Sequence, residues 1–319
     1  MELLAQIGGG LLLLALGGEG VIRGAVGIAR RLGLSELLIG LTLIGFGTSA
    51  PELLTSVNAA VSGAPGIALG NVIGSNISNV LLVFGLVALI RPIPVNPAAI
   101  TRDGLVMIVA SATLVAVALV FGELNRPLGA ALVALLVIYI ITVWMLERRG
   151  GPAANVHKGE AHTHDPVPDS LWVSALFALG GLGLLVFGAD LLVEGAVTLA
   201  RVAGMSETAI GLTIVAVGTS LPELVATLAA ALKGKNDVAF GNIVGSNIYN
   251  IFGIVGVTAL VKPIAVPPEV SLVDWGVMCL SAVLLLLFAT IGRRVTRLEG
   301  ACLVLLYAAY VAHLLGVLG

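Results

Sequence analysis

Two stretches of this chain recur, nearly residue for residue, 171 positions downstream. Gly47-Thr48-Ser49-Ala50-Pro51-Glu52-Leu53 returns as Gly218-Thr219-Ser220-Leu221-Pro222-Glu223-Leu224. Gly70-Asn71-Val72-Ile73-Gly74-Ser75-Asn76-Ile77-Ser78-Asn79 returns as Gly241-Asn242-Ile243-Val244-Gly245-Ser246-Asn247-Ile248-Tyr249-Asn250. The same offset matches Ser35-Glu36 with Ser206-Glu207, Pro92-Ile93 with Pro263-Ile264 and Asp103 with Asp274, with no gap from residue 30 to residue 103. The fold must therefore be one unit built twice.

Composition says in which solvent. Of the 319 residues 58% are apolar and 11% charged, against about 25% charged in a soluble domain. That excludes a disordered chain and an ordinary soluble enzyme, and the net charge of −2 gives no basic face for nucleic acid. A membrane-spanning helix needs about 20 mostly apolar residues. Ten windows qualify, near 3–22, 36–61, 70–90, 103–121, 127–146, 172–193, 207–232, 240–261, 272–291 and 298–318. Met1-Glu2 runs straight into the first window without the basic leader of a cleavable signal. The one long polar segment, 147–170, divides the chain into a first five-helix repeat, 1–146, and a second, 171–319.

Basic residues orient the spans. With the N-terminus outside, the odd-numbered connections, which are then inside, hold Arg23, Arg30, Arg31, Arg91, Arg102, Arg148, Arg149, Lys158, Lys233, Lys235, Arg293, Arg294 and Arg297. The outside connections hold Arg126, Arg201 and Lys262, so the division is 13 to 3. Both termini are expected outside and the 147–170 linker in the cytoplasm. Five spans is an odd number, so the second repeat enters the membrane from the opposite side. Inverted repeats are a common plan of secondary transporters working by alternating access, with the site at the midplane.

Two acids sit at that depth. Glu52 and Glu223 lie near the middle of matching windows, where a charge costs about 2.5–3.5 kcal/mol on insertion scales. Helical spacing puts Thr48 and Ser49 on the face of Glu52, and Thr219 and Ser220 on the face of Glu223. Pro51 and Pro222 should break their helices and free carbonyl oxygens around Gly45–Gly47 and Ala216–Gly218. In the next span Asn71, Ser75 and Asn79, and again Asn242, Ser246 and Asn250, recur at every fourth position. Asn79 and Asn250 read as ligands; Asn71 and Asn242, at the span starts, read equally as caps.

This inventory is of hard oxygens, with no Cys or His near it, which disfavours soft metals and suits Ca²⁺ and Na⁺. The two carboxylates balance one Ca²⁺, two Na⁺ or two protons. Antiport follows in outline; the driving ion does not.

The paired G-T-S-x-P-E and G-N-x-x-G-S-N-I-x-N motifs in a ten-span chain resemble the Ca²⁺/cation antiporter superfamily, most closely its prokaryotic sodium/calcium exchangers. The resemblance covers essentially the whole chain. It implies an all-α multi-pass membrane protein whose spans two, three, seven and eight surround four cation sites, with broken helices at the midplane. It implies ion ligation by Thr48, Ser49, Glu52, Ser75 and Asn79 and by Thr219, Ser220, Glu223, Ser246 and Asn250. The backbone carbonyls of Gly45 and Ala216 join them, and Ca²⁺ falls to Glu52 and Glu223 with Thr48 and Thr219. Spans one and six would be long, tilted gating helices. The expected activity is exchange of three Na⁺ for one Ca²⁺ across a prokaryotic cell membrane. The expected partners are lipid and small cations, with no cofactor and no obligatory protein partner. Archaeal members of this branch commonly carry Asp where this chain has Asn250, so this site holds two carboxylates rather than three.

The same glutamates could serve H⁺/Ca²⁺ antiport, which the extra hydroxyls in the site disfavour. A membrane-embedded serine hydrolase is the rival from another class; Gly47-Thr48-Ser49-Ala50-Pro51 lacks the last glycine of G-x-S-x-G and has no histidine base nearby. Ser35 and Glu36, like Ser206 and Glu207, read as helix starts. Asp103 and Asp274 read as caps, Glu19 and Asp190 as solvated interfacial acids. His157, His162, His164 and Asp165 read as part of a solvated loop rather than a metal site.

Overall fold

In a computed structural model of the chain, residues 2–148, 170–202, 216–266, 268 and 270–314 are described. The His-bearing linker and the Ser206-Glu207 pair lie outside the described residues. In the first repeat α1 is Glu2–Leu32, α2 Glu36–Thr48, α3 Ala50–Val61, α4 Pro65–Ile90, α5 Ile100–Phe121 and α6 Arg126–Arg148. In the second, α7 is Leu171–Val202, α8 Ala216–Thr219, α9 Leu221–Leu232, α10 Asn236–Val261, α11 Leu272–Gly292 and α12 Arg297–Leu314. Among the described residues four two-residue strands lie between helices: β1 Ile93–Pro94, β2 Glu123–Leu124, β3 Ile264–Ala265 and β4 Arg294–Val295.

Among the described residues eight helices are long and apolar enough to cross a membrane, nine if α2 and α3 count as one span bent by 45°. The tenth expected span survives as α8 and α9, because its first residues, 207–215, are outside the described set. The chain is an all-α multi-pass membrane protein. Two helices run past their expected ends: α1 reaches Leu32 and α7 reaches Val202. Arg23, Arg30 and Arg31 therefore belong to α1 and not to a connection. Arg23 is tolerated there because it pairs with Glu19 one turn earlier. Ser35 caps α2, accepting from the Leu38 amide at 3.0 Å.

Burial ranks the helices. The apolar windows of α4 and α10 are 72% and 83% buried, those of α6 and α12 only 22% and 11%. The outer helices present Leu119, Val120, Phe121, Ile138, Leu287 and Leu305 outward, as lipid-facing surfaces do.

The repeats are interlocked. α6 packs on α10 and α12 on α4. Arg126 donates to the Leu260 carbonyl at 3.1 Å, and Arg297, its copy 171 positions on, donates to Ile90 at 3.3 Å. β1 pairs antiparallel with β4 and β2 with β3, with Ile93 opposite Val295 and Leu124 opposite Ile264. Those pairings are the same contact with the copies exchanged, the signature of two inverted units about a pseudo-twofold axis.

α1 and α7 lie against each other along small residues. A Cβ placed on Gly17 would sit 2.8 Å from the Leu185 amide and 2.9 Å from the Gly181 carbonyl. Glycine here lets the two longest helices approach at backbone distance.

Candidate ion-binding site

Each acid stands at the start of a helix. α2 ends at Thr48, Ser49 takes φ −86° and ψ 10°, and α3 begins at Ala50 with Pro51 in its first turn. The second repeat copies this, with Ser220 at φ −90° and ψ 4° and Pro222 in the first turn of α9. Proline fits there because the first-turn amide has no helical acceptor anyway. The expected stretch of freed carbonyls shrinks accordingly to one non-helical residue. The Gly45 carbonyl keeps the Ser49 amide at 3.2 Å and also accepts from Ser246 Oγ at 3.2 Å. Ala216 is the first described residue of its short helix. Glu52 and Glu223 lie in the first turns of α3 and α9, where the helix dipole offsets about 0.3–1 kcal/mol of a carboxylate's burial cost.

Both carboxylates are buried, at 1% and 0% exposure. Ser49 Oγ donates to Glu223 Oε1 at 2.9 Å, joining the break of one repeat to the acid of the other. The mirrored hydroxyl behaves differently: Ser220 Oγ lies 2.9 Å from Ser78 Oγ. Thr48 donates to the Ile44 carbonyl at 3.0 Å, leaving its lone pairs for a cation. Ser75, Asn79, Ser246 and Asn250 are all buried. Thr219 is half-buried and lines the cavity described below.

The polar ledger is incomplete at this spot. Glu52 Oε2, Glu223 Oε2, Asn79 Nδ2 and both side-chain polar atoms of Asn250 are buried without a hydrogen-bond partner. Each such group costs about 1–3 kcal/mol unless something satisfies it, and a cation would satisfy the oxygens among them. Among the described residues no three His, Cys, Asp or Glu side chains gather to hold a metal. A cation here would lean on hydroxyl, amide and carbonyl oxygens beside the two acids.

Asn71 and Asn242 are neither caps nor direct partners of the carboxylates. Asn71 donates to the Glu52 carbonyl at 3.1 Å and to Ser56 Oγ at 2.9 Å; Asn242 donates to the Glu223 carbonyl at 3.4 Å and to Thr227 Oγ1 at 2.9 Å. They tie α4 and α10 to the acid-bearing turns. Ser56 and Thr227 escaped sequence reasoning, although both are hydroxyls four residues beyond a glutamate at the repeat offset. Ser78 escaped it too, since its copy is Tyr249 and the offset gives no signal. Nor did the sequence announce the wide π-helical turns Asn79–Phe84 and Tyr249–Val255, which carry Asn79 and Asn250.

A cavity of about 460 Å³ is lined by the buried Ser75 and Ser78, by the half-buried Gly74, Thr219, Asp274 and Tyr310, and by the exposed Gly70. On the mirrored side α2 lies on α10, so that a Cβ on Gly241 would meet the Leu37 carbonyl at 2.8 Å. There Phe46 and Tyr249 stack with centroids 4.3 Å apart. The copies of Leu37 and Leu41, Thr208 and Leu212, lie outside the described residues.

Other expectations sort clearly. Asp274 closes a capping box with Ser271. Asp103 is no cap: it is fully buried and holds Arg102 at 2.8 and 2.9 Å and Tyr139 at 2.9 Å. It lies inside a continuous helix, where the amides already have helical acceptors. Glu19 is not merely solvated, since it pairs with Arg23 and with Lys233 at 2.6 Å. Asp190 is exposed.

Known proteins match this arrangement. The profile of the family described as Sodium/calcium exchanger protein matches residues 2–145 and again 173–316. The Sodium/calcium exchanger MaX1 of Methanosarcina acetivorans is 34% identical over 336 residues, covering 96% of each chain. The Inner membrane protein YrbG of Escherichia coli is 34% identical over 278 residues, 86% of this chain and 85% of its own. Among solved structures, the sodium-calcium exchanger NCX_Mj soaked with zero Na⁺ and Ca²⁺ superposes with a TM-score of 0.82 at 32% identity, covering 98% of this chain and 99% of that one.

Proposed function

The chain belongs to the sodium/calcium exchanger family, a family of secondary transporters and not of enzymes, and from that premise we propose that it exchanges three Na⁺ for one Ca²⁺ across the membrane by alternating access. One observation carries the reading. Two buried carboxylates, one from each repeat, have oxygens left unpartnered amid hydroxyls, amides and a helix break. A fixed charge of −2 in that setting suits one Ca²⁺ or the Na⁺ ions that replace it, each stabilised by hard oxygens.

In this reading Glu52 and Glu223, with Thr48 and Thr219, hold Ca²⁺. Ser49, Ser75, Asn79, Ser220, Ser246, Asn250 and the carbonyls of Gly45 and Ala216 complete the Na⁺ shells. A site with two acids balances Ca²⁺ and leaves one positive charge when three Na⁺ occupy it, so the cycle is electrogenic. The excess of basic residues at one set of span ends supports an orientation with both termini outside. The cavity beside Gly70 then faces outward.

The test is Ca²⁺ flux in proteoliposomes. An outward Na⁺ gradient at clamped pH should drive Ca²⁺ uptake, and Glu52→Gln or Glu223→Gln should abolish it. Flux that follows a pH gradient and ignores Na⁺ would instead make the driving ion H⁺.

A further inference from the structure

Asp274 and Asp103 are copies of each other, and the two repeats treat them differently. Each accepts a tyrosine hydroxyl, Asp103 from Tyr139 at 2.9 Å and Asp274 from Tyr310 at 2.8 Å. Asp103 is fully buried and neutralised by Arg102. The position of Arg102 in the second repeat is held by Val273. Among the described residues Asp274 is partnered by neutral donors: the Ser271 amide at 2.8 Å, Ser271 Oγ at 2.8 Å and Tyr310. It also lines the cavity that runs down to Ser75, Ser78 and Thr219, and it is the only charged residue among the described ones that do so.

We infer that Asp274 recruits cations to this entrance, acting on Ca²⁺ before it reaches the buried glutamates. An uncompensated charge at the rim of a low-dielectric cleft raises the local concentration of the opposite charge and so the rate of entry. The pull on a divalent ion is twice that on a monovalent one, so the effect favours Ca²⁺ over Na⁺ at the same face. The mirrored approach, where Arg102 cancels Asp103, has no such bias. The device therefore lowers the Ca²⁺ KM at one face only. The inference rests on the exchange reading above.

The experiment measures initial Ca²⁺ exchange rates in proteoliposomes from each face, at low and high ionic strength. It uses wild type, Asp274→Asn, Asp274→Glu and Val273→Arg. Asn removes the carboxylate and keeps one acceptor oxygen, so it loses either the Tyr310 contact on Oδ1 or the Ser271 contacts on Oδ2. Val273 is 43% exposed, so arginine there leaves the cap intact and reproduces the Arg102 arrangement even if Asp274→Asn fails to fold. At low ionic strength Asp274→Asn and Val273→Arg should raise the Ca²⁺ KM at the cavity face about five-fold, with kcat unchanged. The difference should shrink in salt, as screening predicts. The KM at the other face should stay put, and Asp274→Glu should resemble wild type. An unchanged KM in both neutralising variants, or a change equal at both faces or indifferent to salt, overturns the inference and leaves Asp274 a helix cap. A wild type that moves no Ca²⁺ overturns the exchange reading and this inference with it.

Discussion

Ser49 Oγ donates to Glu223 Oε1 across 2.9 Å, so a hydroxyl in the helix break of one repeat orients the acid of the other. A neutral donor on a buried carboxylate contributes about 1.5–3 kcal/mol. Ser49→Ala should therefore lower kcat/KM for Ca²⁺ by about ten-fold or more. Ser78→Ala, which touches only Ser220 and a backbone carbonyl, should cost much less. Tracer Ca²⁺ uptake in proteoliposomes compares the two, and wild-type kinetics in Ser49→Ala would refute the cross-repeat role.

Asn242 holds α10 to the turn that carries Glu223, through Thr227. Asn242→Ala should destabilise the detergent-solubilised protein by about 1–3 kcal/mol, since it leaves a buried hydroxyl unpaired. Asn250→Ala should leave the melting temperature near wild type and weaken cation affinity instead, because Asn250 has no partner to lose. Equal melting temperatures for the two variants would show that the two asparagines share one role.

Asn250→Asp adds a third carboxylate beside two others. Na⁺-driven Ca²⁺ flux should persist at high pH and fall as the medium is acidified, because crowded acids take up protons rather than all remain charged. A pH series of flux measurements checks this. Complete loss of flux at every pH would mean that Asn250 is required as an amide.

Glu19 joins α1 to the end of α9 through Lys233, and Glu36 joins the start of α2 to Lys235 at 2.9 Å. At the offset of 171, Glu19, Arg23 and Lys233 correspond to Asp190, Glu194 and Ser62, so the opposite end has no such clasp. Lys233→Met should free α1 and change the ratio of exchange rates in the two directions, by a factor of about 2–5 for a partly exposed pair of about 0.5–1 kcal/mol. Identical ratios in the variant and wild type would leave the pair without a gating role.

Gly122 and Arg293 occupy copied turns, at φ +64° and +51°. Gly122→Ala should cost about 1 kcal/mol, because an L side chain resists that backbone region. Arg293→Gly should be neutral or stabilising. Thermal melting in detergent reads both, and a destabilised Arg293→Gly would show that its side chain contributes more than its backbone strain.

The repeat made most of this legible. Copied acids, hydroxyls and prolines located both breaks, and the apolar windows located the helices, because lipid imposes a single rule on every span. What escaped depended on depth and on the other copy. Proline marks the neighbourhood of a break but not its length, which the first-turn position of Pro51 settled. Arg102 reads as an interfacial charge until Asp103 is found buried beside it. Ser78 acquires a partner only because the second repeat brings Ser220 to it. The asparagines at the span starts read equally as caps and as ligands, since nothing in one copy reveals a contact to the preceding helix. Asymmetry between the copies, from Tyr249 against Ser78 to Val273 against Arg102, was printed in the alignment of the two halves, but only the assembled structure assigns each difference to one approach.

The crossed pairing of α6 with α10 and α12 with α4 has a consequence for biogenesis. A ribosome delivers α4 long before α12 exists, so the face bearing Gly85 waits without its neighbour, Gly300, whose Cβ position lies 2.7 Å from the Gly85 carbonyl. The first half inserts with an unfinished seam that lipid or a chaperone must cover, and only the last helix synthesised closes it. Truncation near the C-terminus should therefore unsettle the first repeat as much as the second.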